Sequence, residues 1–153
     1  MTEIIRLRVT AEKAVFYKSD DEGPNNDADM QYMWVYVRGW NSKKGNIIAL
    51  PGNPYKTYEW GAGEKTIVVG YTWNYNASTE LDFYNGGSYD INQAQLKLSV
   101  YGEETDNIGE DEKAWGHLKL VGKNNMLGSH VVKCESDDFG FKAHFTVEEI
   151  PFE

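Results

Sequence analysis

Carboxylates are the chemically capable residues of this chain, and they come in bunches. Asp20, Asp21, Glu22, Asp27 and Asp29 form one cluster, and Glu103, Glu104, Asp106, Glu110, Asp111 and Glu112 a second. A smaller third turn holds Glu135, Asp137 and Asp138. These stretches lie in turn-forming sequence beside Gly, Asn and Pro. Carboxylates crowded on loops repel one another unless a cation sits among them. Hard cations such as Ca²⁺ draw several oxygen ligands from loops of this kind. The pattern points to Ca²⁺ ligation by Asp20, Asp27, Asp29, Glu104, Asp106 and Asp111. The plainer alternative is a solvated acidic surface that keeps the protein soluble and blocks edge-to-edge association.

A second candidate chemistry lies in the aromatic stretch from Trp73 to Gly87. Trp73, Tyr75, Tyr84 and Asn85 have the residue types of a sugar site, in which rings stack on C–H faces and amides bind hydroxyls. The competing expectation is an irregular loop whose rings cover a sheet edge. Asn76-Ala77-Ser78 is a glycosylation sequon, a triplet that also arises by chance.

Other reactive constellations are missing from the sequence. His117, His130 and His144 are far apart and lack zinc spacing. Cys134 has no basic or helical activator nearby in sequence and reads as a small, semi-buried strand residue. Gly61-Ala62-Gly63 precedes neither a Lys-Ser/Thr pair nor a helix, so it is no phosphate loop. No G-x-S-x-G elbow occurs. The expectation is a non-enzyme.

Totals narrow the partners. A formal charge of -9 and a pI of about 4.8 argue against nucleic-acid binding, and no basic stripe is visible. Contact with anionic lipid is expected only through bound cations. A protein or glycan partner stays open. One cysteine allows no intrachain disulfide, so the fold must stand on its core. The opening MTEIIRLRVT reads as a strand rather than a signal peptide, and no apolar run is long enough to span a membrane. Either a cytoplasmic protein or a secreted one without a visible signal fits these features.

Period-two alternation sets the elements that must position these residues. Strands are expected around Ile5–Phe16, Tyr32–Val37, Ile47–Leu50, Ile67–Trp73, Leu96–Val100, Trp115–Val121, Ser129–Lys133 and Phe141–Val147. Residues 74–92 are the least periodic stretch, with a short strand at most near Leu81–Tyr84. No window carries a helical stripe. About eight short strands parted by turn residues predict one all-β domain over residues 1–153, an antiparallel sandwich. With eight strands, the acidic loops follow the first, fifth and seventh. In an up-and-down chain all three would then leave at the same end.

The stretch from Leu98 to Leu118 resembles the third calcium loop of C2 domains. Val100 and Tyr101 match the strand end, Glu104 the second acid of the family's pair, Asp111 the later acid and Gly116 the glycine opening the next strand. Gly102 stands where the family has its first acid. Asp27-Ala28-Asp29 is the corresponding acidic stretch before the second strand. The resemblance implies a C2-like or jelly-roll-like sandwich. The function expected is a non-catalytic binding module whose acidic loops bind Ca²⁺ and present a surface to a partner or ligand. A lectin-like module using exposed Trp and Tyr, and an acidic interaction or toxin-associated protein, are the alternatives.

Overall fold

The structure, a computed structural model, describes residues 1–19, 27–105 and 111–152. Ten strands carry the described chain: β1 Glu3–Ser19, β2 Ala28–Lys43, β3 Asn46–Ala49, β4 Tyr55–Trp60, β5 Lys65–Ile67, β6 Thr72–Asn85, β7 Gln95–Glu104, β8 Glu112–Val121, β9 Gly128–Glu135 and β10 Phe139–Ile150. A 3-10 turn at Ile91–Gln93 and one helical turn, α1 Lys123–Met126, are the described helical elements. One sheet runs β6-β1-β10-β9. The other runs β3-β2-β7-β8, with β4 and β5 also paired to β2. Every ladder is antiparallel. The all-β sandwich expected from alternation is the architecture observed.

Ten strands reduce to eight positions. β3, β4 and β5 all run antiparallel to β2, at Trp40–Lys43, Met33–Val37 and Ala28–Met30 respectively. They are one edge strand, interrupted where Pro51 to Pro54 and Gly61 to Gly63 break the ladder.

Two sequence expectations need correction. The expected strand Ile67–Trp73 does not run through: the chain turns at Val68 to Tyr71, with Gly70 at φ +91° and Gly70 N donating to the Phe16 carbonyl. Residues 74–92, expected to be mostly irregular, contain most of the long strand β6. Its inward positions are Trp73, Tyr75, Leu81 and Phe83, but weak Ala77 and Thr79 stand between them and hide the period.

Bulges explain where alternation changes phase. Leu7, Val9 and Ala11 face the core at odd positions, then Ala14 and Phe16 at even ones. Both neighbours of β1 shift register between Ala11 and Lys13, which accounts for the switch. In β2 a shift between Met30 and Tyr32 lets Met30 and Met33 both point inward. Between the sheets lie Phe16, Phe83, Phe139, Phe141 and Phe145 with aliphatic residues, nearly all fully buried. Each such side chain contributes about 1.5–3 kcal/mol of transfer free energy.

The register brings the acidic stretches to one end. Ser19 pairs with Phe139, Met30 with Glu104, and Glu104 with Glu112. The chain therefore leaves β1, β7 and β9 on the same side, and the Val68–Tyr71 turn is tied to Phe16 at that end too.

At the seam of the sheets, β8 makes a close approach to the β9 backbone at Gly116. A Cβ on Gly116 would stand 2.3 Å from the Lys133 carbonyl oxygen. Gly116→Ala should therefore destabilise the protein by about 2 kcal/mol. Urea unfolding checks this, and a loss under about 0.5 kcal/mol would mean that the seam yields freely.

Candidate functional site

At the acidic end, strand parity decides what each carboxylate can reach. Glu103 points to the outer face of the β2–β7–β8 sheet, and Glu104 to the inner one, beyond Gly102. Glu104 is fully buried. Glu103 accepts from Gln31 Nε2 at 2.9 Å and from the Tyr101 hydroxyl at 3.1 Å, with Lys113 Nζ at 3.5 Å. Burial first, and the Glu103 charge second, push the Tyr101 phenol well above its ordinary pKa, so it stays a donor. Gln31 Nε2 also donates to Asp111 Oδ2 at 2.7 Å, so one amide joins Glu103 to an exposed acid of the next strand's approach. Asp29 Oδ1 accepts from Thr66 at 2.7 Å, and its carbonyl accepts from Thr105 N at 2.8 Å. Asp27 is half-buried just before β2. Asp20 and Asp106 lie outside the described residues. Among the described residues, no three His, Cys, Asp or Glu side chains converge closely enough to hold a metal ion.

Beside the acids stand exposed apolar side chains. Val68 and Val69, in the turn between β5 and β6, are 52% and 59% exposed. Alternation alone puts them inside a strand.

The outer face of β2–β7–β8 holds an arrangement that sequence reasoning missed. Cross-strand partners line up in rows: Trp34, Tyr101 and Trp115, then Tyr36, Ser99 and His117, then Arg38, Lys97 and Lys119. The first row is an aromatic stack, with Trp34 4.7 Å and Trp115 4.3 Å from the Tyr101 ring. Ser99 Oγ and His117 Nδ1 share a hydrogen bond of 2.8 Å. Below them Tyr36, Arg38, Pro54, Lys97, Ser99, Trp115 and His117 line a depression of about 330 Å³. Like charges directly opposite across strands are destabilising. Even so, no carboxylate lies within ion-pair distance of Arg38, Lys97 or Lys119 among the described residues. An anion resting on this row would relieve that repulsion. The signal was present in the sequence as basic residues at outward strand positions, but only the register shows that they are neighbours.

The aromatic quartet divides. Trp73 and Tyr75 are each only 5% exposed, so neither presents an open ring face for the sugar stacking weighed for them; the Trp73 ring lies under Lys65, whose ammonium is 5.3 Å from its centre. Tyr75 packs edge-on against Tyr58 at 4.8 Å. Asn85 Oδ1 accepts from Ile91 N at 3.1 Å, which fixes the turn after β6. Tyr84 keeps 37% of its surface, over Tyr89 at 5.1 Å. Cys134 is buried, and burial pushes its thiol up to about 12, which leaves it inert at neutral pH. His130 Nε2–H donates to the Met126 carbonyl, 2.6 Å away, and His144 pairs in register with Val131.

The depression predicts a pH signature. Burial first, then the charges of Lys97 and Arg38, lower the His117 pKa below its ordinary 6.5. A base lowered on folding is protonated more readily in the unfolded chain. Its contribution to stability is complete above pH 6.5 and is lost as pH falls through the folded value. Lys97→Gln should move the His117 midpoint up toward 6.5, read from its ring protons by NMR. A wild-type midpoint already at 6.5 or above would show that the basic row does not act on this ring.

Neither a protein-family model nor a curated protein matches the sequence. Among solved structures, the chain is similar to a C2 domain, the one designated A, of plant extended synaptotagmin 1, at 13% identity over 97% of each chain with a TM-score of 0.48. It is similar to human GIVD cytosolic phospholipase A2 at 18% identity and a TM-score of 0.42, over 98% of this chain but only 18% of that one. A C2 domain protein from Ramazzottius varieornatus is similar at 11% identity and a TM-score of 0.33, over 99% of this chain and 92% of that one. What these likenesses describe is a C2-like β-sandwich, and they concern the fold alone.

Proposed function

We propose that this chain is a non-catalytic binding module that docks on an anionic lipid surface through its acidic end, with Ca²⁺ as the bridge. The observation that carries the reading is the exposed Val68–Val69 pair, held at the same end as the acidic stretches. Bare carboxylates would drive an anionic surface away. Divalent cations neutralise them and offer open coordination positions to phosphate oxygens. The two valines then gain free energy by leaving water, of the order of 1 kcal/mol each for side chains already half-covered. Asp27, Asp29 and Asp111 supply the hard oxygen donors that suit Ca²⁺. Since no described trio converges, a full ligand set draws on Asp20 and Asp106 as well. Glu104, proposed as a ligand from sequence, would have to leave a fully buried position to take part. The row of Arg38, Lys97 and Lys119 supports the same reading from the side of the sheet, because it offers phosphate groups a cationic contact.

Millimolar Ca²⁺ should raise the melting temperature, since a ligand of the native state stabilises it by mass action. Vesicles containing anionic lipid should pellet the protein with Ca²⁺ and release it with a chelator. Val68→Asp combined with Val69→Asp should abolish pelleting and leave the thermal shift. Asp111→Asn should reduce both. No thermal shift at ~10 mM Ca²⁺ would exclude every affinity class known for such sites.

A further inference from the structure

Beside the Val68–Val69 turn, three aromatic rings and one cation line a common depression. Trp60 at the end of β4, Tyr71 in the turn and Trp73 at the start of β6 share it with Lys65 of β5, whose ammonium lies over the Tyr71 and Trp73 rings. Trp60 and Trp73 are 4.7 Å apart at 79°, and Tyr71 and Trp73 6.4 Å apart at 71°, so the rings meet as walls rather than as a stack. Trp73 is held in place by its Nε1–H, which donates to the Tyr58 hydroxyl at 2.9 Å. Together with Tyr58 and Asn74 they line a cavity of about 240 Å³. The Lys65 ammonium lies 5.0 Å from the Tyr71 ring centre and 5.3 Å from that of Trp73.

This choice of partner is informative. The chain carries 24 acids against 15 basic residues, yet Lys65 forms no ion pair among the described residues and sits on rings instead. Rings attract a cation by their quadrupole and gain most from a desolvated one. A lysine ammonium has three N–H donors that the rings cannot satisfy, so it remains partly tied to water. A quaternary ammonium has no N–H to satisfy and is the better occupant of the same walls. We infer that the Trp60–Tyr71–Trp73 box is a binding site for a quaternary ammonium group, with Lys65 as the chain's own cation that the ligand displaces. The box adjoins the apolar turn, so the choline headgroup of a lipid is the matching source, a clause that rests on the docking reading above. Free choline offers the same chemistry.

Choline chloride titrated into the full chain should change tryptophan emission saturably, while sodium chloride at equal ionic strength should not. Lys65→Ala, at an exposed position, removes the competing cation and should tighten choline binding several-fold. Trp60→Ala removes a wall and should weaken it roughly tenfold. Circular dichroism reports whether each variant keeps its sheets. No saturable response in either the wild type or Lys65→Ala overturns the inference. Vesicles with choline headgroups, compared with ethanolamine headgroups in the presence of Ca²⁺, identify the source. A choline preference that Trp60→Ala erases assigns the box to lipid. Saturable choline binding without a headgroup preference assigns it to a free quaternary ammonium. If choline binds but no vesicle does, the docking reading has failed and the box stands.

Discussion

Gly102 has no side chain, and Phe139 and Phe141 take up the space where one would be. A Cβ there would lie 2.9 Å from the Phe141 ring and 3.1 Å from both Phe139 and the Met30 methyl. These rings of β10 seal the sandwich against β7 just short of its acidic end, and the pairing of Ser19 with Phe139 draws β1 to the same place. The closure fixes which way the next residues of β7 point. It also explains the departure from the C2 loop pattern: an acid at position 102 would enter the aromatic core rather than the loop mouth. Burying a carboxylate among phenylalanines costs several kcal/mol even after relaxation.

The same closure sets up two electrostatic surfaces that act independently. Outward positions of β7 run from Lys97 through Ser99 and Tyr101 to Glu103. At ~3.3 Å per residue, Lys97 and Glu103 are roughly 20 Å apart along the strand. The Debye length at physiological ionic strength is ~8 Å. The carboxylates of the acidic end therefore do not repel an anion held on the Arg38–Lys97–Lys119 row. A chain of net charge -9 can in this way present an acidic end and a basic flank to one extended anionic surface.

Legibility followed the strength of alternation. Leu96, Leu98 and Val100, or Phe141, Ala143, Phe145 and Val147, announce a strand and its buried face without ambiguity. The count of eight holds only because two misreadings offset. The expected Ile67–Trp73 strand is broken by a turn, while Leu81–Tyr84 belongs to the full strand β6, which takes its place as the fourth once the interrupted β3–β5 edge counts as one. β6 escaped because Ala77 and Thr79 dilute its period, and Asn76, at φ +47°, adds the extra residue opposite the bulge of β1. The basic row and the aromatic box were illegible for a different reason. Lys97 meets Arg38, and Trp60 meets Met33, only through long-range register, which no local pattern specifies.

Parity also changes what an acidic cluster means. Read along the chain, Glu103 and Glu104 are two neighbouring candidates for one ion. On a strand, successive side chains point to opposite faces, so they belong to different environments. Glu103 joins Gln31, Tyr101 and Lys113 on the outer face, and Glu104 closes the inner one. On the proposed reading, the acids left to hold an ion among the described residues are those on the loop flanks, Asp27, Asp29 and Asp111. The strand acids next to them serve to anchor the sheet: Glu103 ties β7 to Gln31 of β2 and Lys113 of β8, and through Gln31 it reaches Asp111. A cation drawing on Asp111 would thus be coupled to the aromatic row through a single amide.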